Sequence, residues 1–183
     1  MVFTVQDLKD RNINEFTFFW GANRPNGEFS QWYKSDFLAD GINFCCMEQY
    51  MMYCKALLFH DYEIADKILY SKNPKYIKSL GRKVKNFNPK VWDEYKVKIV
   101  YRGNYHKFTQ NMDLQNKLLQ TKGILAEASP YDKIWGIGLS TTDYNVNNVH
   151  MWKGQNLLGI ILTCIREEIK EERGIKDENR GKG

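Results

Sequence analysis

The chain has 183 residues, of which 43% are hydrophobic and 27% charged, proportions that are ordinary for one globular domain with a proper core. It has no apolar run of the roughly 18 residues that cross a bilayer and no secretory pattern at its N-terminus, so we expect a cytoplasmic protein with no membrane partner. A net charge of +5 mildly favours polyanionic partners without establishing nucleic-acid binding.

The first third of the chain predicts short strands followed by an amphipathic helix. FTFFW (16–20) and FSQWY (29–33) are aromatic runs separated by Asn, Pro and Gly residues, which is the chemistry of a turn between strands. From Met47 onward, apolar residues recur at helical spacing as far as Leu58. The opening of the chain is therefore expected to form part of a small sheet that leads into a helix.

The rest of the chain predicts further helices and one more strand. ILAEA (124–128) is apolar and is followed by Ser129-Pro130, which indicates a buried strand before a loop at 132–138. After Arg166 the residues are densely charged with both signs, so the last helix is expected to fray into a tail. The expected class is α+β, a mostly helical single domain packed around a small sheet. The helices are predicted at 61–70, from Asn73-Pro74, at 91–109, at 113–122 before Gly123, and at 156–169.

Three carboxylates stand in apolar surroundings: Glu48 in the predicted first helix, Glu127 in the predicted strand, and Asp132 five residues later. Lys55, seven residues after Glu48, lies on the same side of the helix. A buried carboxylate must find a cation, find hydrogen-bond donors or become protonated. Two interpretations stay open. Either Glu48 and Lys55 form an ion pair at a rim while Glu127 caps a backbone end, or apolar walls prepare a carboxylate for acid–base chemistry, including cleavage at sugar anomeric carbons.

Familiar metal and cofactor motifs are missing from the chain. The four cysteines form no CxxC pair and the three histidines are scattered, so neither a metal site nor a disulfide framework is predicted. WGIGLSTT contains Gly136 and Gly138 but not the third glycine of a dinucleotide loop. There is no Walker A sequence, HExxH or GxSxG. We therefore predict no metal ion and no cofactor.

Six separated blocks follow one another in a specific order. They are FFWGANRPNGEFSQWY, DGINFCCMEQYMMYCKALLF, LGRKVKNFN…W, KFTQN, LLQTKGILAEASPYDKIWGIGL and NLLGIILTCIRE. In this order and spacing they resemble the NADAR family, also described as YbiA-like. The resemblance divides the chain into an N-terminal extension (1–15), a NADAR/YbiA-like N-glycosidase domain (16–168) and a charged C-terminal tail (169–183). It implies an α+β N-glycosidase fold.

The resemblance also implies roles for single residues. Glu48 matches the acidic residue of the family's S-x-E-x-Y-like segment, and Lys55 matches the lysine of its KA ending, which makes these two the candidate catalytic residues. Asp132 is suited to ribose hydroxyls and Trp135 to stacking on a ring. Gln49 departs from the family, in which many members have histidine, and we expect it to be structural. The other candidates for substrate binding are Trp20, Arg24, Arg82, Trp92, Glu127, Ser129 and Gly136.

Some of these assignments have a plainer alternative. Arg24, Lys55 and Arg82 are candidates for phosphate contact, although Arg24 is equally compatible with a surface turn. Trp20 and Trp32 are candidates for stacking on the substrate alongside Trp135, while a single tryptophan is more often part of a core. These alternatives stay open at the level of the sequence.

Three functions are compatible with the resemblance. The first is removal of ADP-ribose from guanine in DNA or nucleotides, which reverses ADP-ribosylation of DNA bases and which the positive charge favours. The second is hydrolysis of phosphoribosylated intermediates of riboflavin synthesis, small substrates that need no track for nucleic acid. The third, non-catalytic binding of ADP-ribose or a nucleotide, is disfavoured by retention of Glu48 and Lys55.

Two mechanisms also stay open. In the first, Glu48 activates a water molecule against the anomeric carbon. In the second, Lys55 attacks C1 of the ring-opened sugar to form a Schiff base while Glu48 moves protons.

Overall fold

The computed structural model describes residues 3–175. Its order of elements confirms the α+β class, with helices predominating around a small amount of sheet. The helices are α1 (Val5–Asp10), α2 (Met47–Leu58), α3 (Tyr62–Tyr70), α4 (Pro74–Gly81), α5 (Pro89–Gln110), α6 (Met112–Leu119) and α7 (Leu157–Glu172). The strands are β1 (Phe16–Phe19), β2 (Phe37–Ala39), β3 (Ile42–Phe44) and β4 (Ile124–Glu127).

Strands β1 and β4 form a parallel pair although they come from distant parts of the chain. Phe16 lies opposite Ile124, and Phe19 lies opposite Glu127. Because the strands run in the same direction, their carboxyl ends meet at one edge of the sheet. The residues that follow β1, beginning at Trp20, therefore lie beside Glu127 and the residues after it.

Strands β2 and β3 form a separate antiparallel hairpin that the sequence did not predict. Each strand has only three residues, and the turn between them consists of Asp40 and Gly41, both with positive φ (52° and 76°). An Asp-Gly pair with positive φ at both positions is typical of a tight hairpin turn. In strands of three residues, the alternation of apolar and polar side chains is too short to be recognised in the sequence.

Helix α2 lies at the centre of the main hydrophobic cluster and packs against α3, α4 and α5. The approach of α5 depends on Gly103, where an added Cβ atom would lie 2.4 Å from Cδ1 of Tyr50 and 2.7 Å from Cε of Met47. Glycine is thus required by space rather than by backbone conformation. This close contact sets the position of the helix that carries Glu48 and Lys55.

Several predicted helix starts coincide with observed caps. Asp61 accepts a hydrogen bond from Ile64 N at the start of α3, and Asn73 caps α4, whose first residue is proline. Asn88 caps α5 in the same way, and the helix begins at Pro89, two residues before the predicted start at 91. All three side chains satisfy free N–H groups, and at α4 and α5 the proline that follows the cap also presets the helical φ angle, so these starts are encoded locally.

The strand predicted at 29–33 is wrong. Gly27–Phe29 forms one turn of 3₁₀ helix instead, and the backbone that follows has partners that are not strands. Lys107 Nζ donates hydrogen bonds to Glu28 O (2.6 Å) and Ser30 O (3.2 Å), while Gln31 O accepts one from Glu48 N (2.9 Å). A buried lysine and the first turn of α2 therefore take the place of a neighbouring strand.

Two predicted helix ends also differ from the structure. Helix α6 ends at Leu119 rather than 122, and Gly123 (φ +59°) belongs to the turn that enters β4. Helix α7 continues to Glu172, three residues past the predicted 169, because charged residues remain good helix formers. Of the predicted tail 169–183, residues 176–183 lie outside the described part of the chain.

A smaller hydrophobic cluster lies on the other side of β4. Leu8 from α1 is buried there together with Ala126 and Trp152, so the predicted extension 1–15 packs onto the domain over its described residues. All four cysteines are free. Over residues 3–175, no helix combines the length and apolar character that a membrane span requires.

Candidate active site

A cavity of about 670 Å³ opens where the carboxyl ends of β1 and β4 face α2 and α4. It brings together ten of the twelve residues predicted as site residues. They are Trp20, Arg24, Trp32, Glu48, Lys55, Arg82, Glu127, Ser129, Asp132 and Trp135. Its wall also contains Gly21, Ser30, Gln31, Met51, Met52, Lys78, Gly81, Tyr131 and Ile134.

Glu48 lies in the first turn of α2 and only 2% of its surface is exposed. Its Oε2 accepts a hydrogen bond from Trp32 Nε1 (3.2 Å), whereas Oε1 is buried without a partner among the described residues. Burial raises the pKa of Glu48 to about 7, with Lys78, Trp32 and Arg82 opposing the rise and Asp132 adding to it. The carboxyl group is thus poised to accept or release a proton near neutral pH.

Glu127 ends β4 and faces the same cavity. Its Oε2 is buried without a hydrogen-bond partner in the described structure. Burial raises its pKa to about 8, and the negative charges of Asp132 and Glu48 add to the rise. No described N–H group donates to either carboxylate oxygen of Glu127, so the interpretation that it caps a backbone end is wrong.

Lys55 does not pair with Glu48, so the predicted rim ion pair is wrong. Its Nζ donates a hydrogen bond to Gly81 O (2.8 Å) and lies 4.1 Å from the ring centroid of Phe87 and 5.7 Å from that of Trp92. Gly81 ends α4, where the helix dipole favours a cation. Burial lowers the pKa of Lys55 and the charge of Glu48 opposes this, so the two groups interact without direct contact.

Lys78 is the cation of the site that sequence reasoning missed. It lines the cavity from α4, with its Nζ 5.8 Å from the ring centroid of Trp32. Its charge opposes the rise in pKa at both Glu48 and Glu127. Lys78 precedes Arg82 by four residues, a spacing that places both on one side of α4. That spacing is the signal by which Lys78 could have been found from the sequence.

The rim of the cavity is aromatic and basic. The guanidinium carbon of Arg24 lies 4.6 Å from the ring centroid of Trp20, and the Trp20 and Tyr131 rings are 6.3 Å apart. Tyr131 is 87% exposed. Arg24 thus stacks at the cavity rather than serving only a surface turn. This rim offers ring faces and a cation to a ligand that enters the cavity.

Asp132, predicted to contact ribose hydroxyls, also has a structural role in the loop after β4. Its Oδ1 accepts hydrogen bonds from Ile134 N (2.9 Å) and Trp135 N (2.8 Å), which holds the loop after β4 in a turn. This turn places Trp135 at the cavity wall. One oxygen of Asp132 therefore shapes the loop, and no hydrogen bond to the other occurs among residues 3–175.

Two predicted site residues lie behind the wall rather than on it. Trp92 packs against the main cluster and stands next to the Lys55 ammonium group. At Gly136 an added Cβ atom would lie 2.8 Å from Glu127 O and 3.0 Å from Asp132 O. Trp92 thus supports Lys55, and Gly136 lets the loop approach β4.

Gln49, the departure from the family pattern, is only 3% exposed and is hydrogen bonded to backbone groups. Its Oε1 accepts from Cys45 N (2.8 Å), and its Nε2 donates to the carbonyl oxygens of Ile68, Leu69 and Ser71. The amide joins the start of α2 to the end of α3. This agrees with the expected structural role and leaves proton transfer to other residues.

Residues 18–170 match the family model of the NADAR domain. The chain belongs to the NADAR family. This NADAR protein is 45% identical over 164 residues to N-glycosidase R617 of Acanthamoeba polyphaga mimivirus, an alignment that covers 85% of this chain and 96% of R617. The family resemblance seen in the sequence is thereby confirmed.

Two further similarities concern a plant protein and a solved structure. Over 122 residues this NADAR protein is 29% identical to the chloroplastic riboflavin biosynthesis protein PYRR of Arabidopsis thaliana, covering 64% of this chain and 18% of PYRR. The NMR structure of the E. coli protein YbiA matches with a TM-score of 0.72 at 23% identity, covering 92% of both chains. YbiA therefore has the same fold.

Proposed function

We propose that this NADAR protein cleaves the N-glycosidic bond of ADP-ribosylated guanine and so reverses ADP-ribosylation of DNA bases. Cleavage of N-glycosyl bonds in general follows from similarity to a protein named as an N-glycosidase. The protein is a hydrolase of N-glycosyl bonds, as its 45% identity to N-glycosidase R617 over 96% of that protein indicates. The identity of the bond that it cleaves is the proposal.

The observation that carries the proposal is a pair of buried carboxylate oxygens with no donors. Oε1 of Glu48 and Oε2 of Glu127 lack hydrogen-bond partners in the described structure, and both residues line the same cavity. An unpaired buried acceptor is costly, so a ligand that brings O–H and N–H groups is favoured there. The hydroxyls of a ribose and the amino nitrogen attached to its C1 supply such donors.

The rest of the cavity supports a ligand with phosphates and a ring. Arg24, Lys78 and Arg82 place cations along the wall, which favours a diphosphate. The Trp20 and Tyr131 rings at the rim favour a stacked base. The volume of about 670 Å³ lies within the range of about 300–1,000 Å³ that is usual for small-molecule sites.

The two carboxyl groups are suited to opposite roles in direct hydrolysis. With a pKa of about 7, Glu48 is substantially ionised at neutral pH and takes a proton from the attacking water. With a pKa of about 8, Glu127 is mostly neutral and can protonate the departing guanine nitrogen, which receives the electron pair of the broken C1–N bond. Because burial raises the pKa of both carboxyl groups, one can hold a proton while the other accepts one, as acid–base cleavage of a glycosidic bond requires.

A second route through Lys55 leads to the same products. Burial lowers the pKa of this lysine, which favours the neutral amine that attacks C1 of a ring-opened sugar. Glu48 moves protons in this route too. Reduction with borohydride during turnover distinguishes the routes, since only the Schiff base leaves a covalent adduct on Lys55.

A decisive assay incubates the protein with a guanine-ADP-ribosylated oligonucleotide and follows release of ADP-ribose. We expect turnover by the wild type and a loss of about 10²–10⁴-fold in kcat for Glu48→Gln, the usual contribution of a general base. Glu94→Gln is the matched control, because Glu94 is exposed on α5. A Glu48→Gln variant with the wild-type rate would show that another group is the base.

Clearance of phosphoribosylated riboflavin intermediates is the second candidate. Similarity to PYRR, named as a riboflavin biosynthesis protein, favours it. The same assay with a ribosylated aminopyrimidine phosphate separates the two functions. If the protein cleaves that compound faster than the oligonucleotide, riboflavin intermediates are its preferred substrates. Binding of ADP-ribose without cleavage of either substrate would identify a binding protein.

A further inference from the structure

Trp32 connects the acidic and the basic sides of the cavity. Its indole N–H donates to Oε2 of Glu48 (3.2 Å), and Nζ of Lys78 lies 5.8 Å from its ring centroid. The residue before it, Gln31, accepts a hydrogen bond from the backbone N–H of Glu48 (2.9 Å). The segment 31–32 is thereby bound to Glu48 through both backbone and side chain.

We propose that Trp32 is a positioning residue that holds the Glu48 carboxylate for proton transfer and stabilises its ionised form through the indole N–H. This inference rests on the proposed function, in which Glu48 moves the proton. Trp32 acts through Glu48 and is not itself a catalytic residue. The sequence predicted that Trp32 stacks on the substrate. Stacking uses only the face of the ring, whereas the proposed role uses the indole N–H.

The geometry leaves one carboxylate oxygen held and the other available. Oε2 of Glu48 accepts from Trp32, and no other hydrogen bond to this carboxylate occurs among the described residues. With one oxygen fixed, the second has a defined direction in which to accept a proton from water. In a side chain that is 2% exposed, one donor has a large effect on the balance between charged and neutral forms.

Charged and titratable groups surround Glu48 on every packed element. Lys78 and Arg82 face it from α4, Glu127 from β4, and Asp132 from the loop that follows β4. From its own region of the chain, Cys46 and Lys55 interact with it. Replacing Trp32 by phenylalanine keeps all six of these groups and removes only the N–H donor and part of the ring.

The test is the pH profile of Trp32→Phe. Loss of a donor to the charged form raises the pKa of Glu48, so the acid limb of kcat is expected to move up by about one pH unit. At pH 6 we expect kcat to fall about 10-fold with KM changed less than about 2-fold, and at pH 9 kcat to approach the wild-type value. An equal loss of kcat at every pH would overturn the proposal.

Trp152→Phe is the matched control. Trp152 also donates an indole hydrogen bond, to Val146 O (2.8 Å), but it lies in the smaller cluster behind β4. This variant is expected to be less stable while the acid limb stays at the wild-type pH. The same shift of the limb in both variants would contradict a specific role for Trp32.

A readout without substrate separates this inference from the proposed function. In protein labelled with ¹³C at glutamate carboxyl carbons, the Glu48 signal is assigned by its loss in Glu48→Gln. Its titration midpoint is expected to rise in Trp32→Phe even if no tested substrate is cleaved, and an unchanged midpoint refutes the inference. Benzothienylalanine at position 32, which has sulfur in place of N–H, provides a second variant that preserves the ring shape.

Discussion

At the scale of single residues, burial of the Glu48 carboxyl group lowers the stability of the folded protein when that group is ionised. Glu48 is 2% exposed and its pKa rises from an ordinary 4.5 to about 7. A group with a raised pKa in the folded state contributes stability that is complete below its unfolded pKa and is lost as pH rises through the folded one. Ionised Glu48 therefore destabilises the protein above neutral pH.

The corresponding prediction concerns the free energy of unfolding of Glu48→Gln. Glutamine cannot ionise and can still accept the Trp32 hydrogen bond, so above pH 8 the variant is expected to be more stable than the wild type by about 3 kcal/mol at most. Near pH 4 the two should unfold alike. Thermal unfolding at both pH values measures this difference.

Glu94→Gln serves again as the comparison, since its exposed side chain should give no pH-dependent gain. A gain for Glu48→Gln that is equal at pH 4 and above pH 8 would show that Glu48 does not carry a raised pKa. Together with the expected loss of turnover, a gain confined to high pH indicates that this residue is retained for chemistry rather than for stability.

At the scale of elements, the contact between α2 and α5 sets the position of the site. Gly103 lies on α5 where Tyr50 and Met47 of α2 pack against it. The two helices can pack this closely because Gly103 has no side chain that would collide with Tyr50 and Met47. Helix α2 carries both Glu48 and Lys55, so a small displacement of the helix moves both groups together.

We predict that Gly103→Ala destabilises the protein by about 1–3 kcal/mol, the usual cost of overpacking a core. Helix propensity alone favours alanine by about 1 kcal/mol, so a loss has to come from the contact with Tyr50. Chemical denaturation measures the change.

Asn116→Ala, at an exposed position of α6, tests propensity without the contact and is expected to be neutral or slightly stabilising. If Gly103→Ala is as stable as Asn116→Ala, α2 and α5 can move apart to admit the methyl group without loss of folding free energy, which would contradict the prediction.

At the scale of the whole molecule, β4 separates the main core from the smaller cluster that α1 helps to close. Helix α1 precedes residues 18–170, the part that matches the NADAR domain, yet Leu8 is 2% exposed against Ala126 and Trp152. The cavity lies at the carboxyl end of β4, beyond this cluster. The N-terminal helix should therefore contribute to stability without contributing to chemistry.

Leu8→Ala is predicted to cost about 2–5 kcal/mol, as large-to-small changes in a core do. For a chain of this size the melting temperature should fall by about 2–4 °C per kcal/mol. At 25 °C the folded variant should keep its kcat.

Gln6→Ala, on the exposed side of α1, is the control and should change the melting temperature little. A reduced kcat in fully folded Leu8→Ala would show that α1 acts on the site.

The sequence alone predicted the features that depend on neighbouring residues. Asn73-Pro74 marked a helix start because a cap and a proline act within one turn, and helical spacing from Met47 to Leu58 identified α2. The ordered blocks predicted the family, and ten of the twelve proposed site residues line one cavity. The strand at 29–33 failed because Lys107, far along the chain, binds the backbone there.

Only the tertiary structure decided which groups meet. Lys55 pairs with Gly81 O rather than with Glu48, Lys78 enters the cavity, and Trp32 donates to Glu48. The parallel pairing of β1 with β4 joins segments more than 100 residues apart. Hydrogen bonds and burial depend on distances of a few ångströms between distant segments, and spacing along the chain carries no record of those distances.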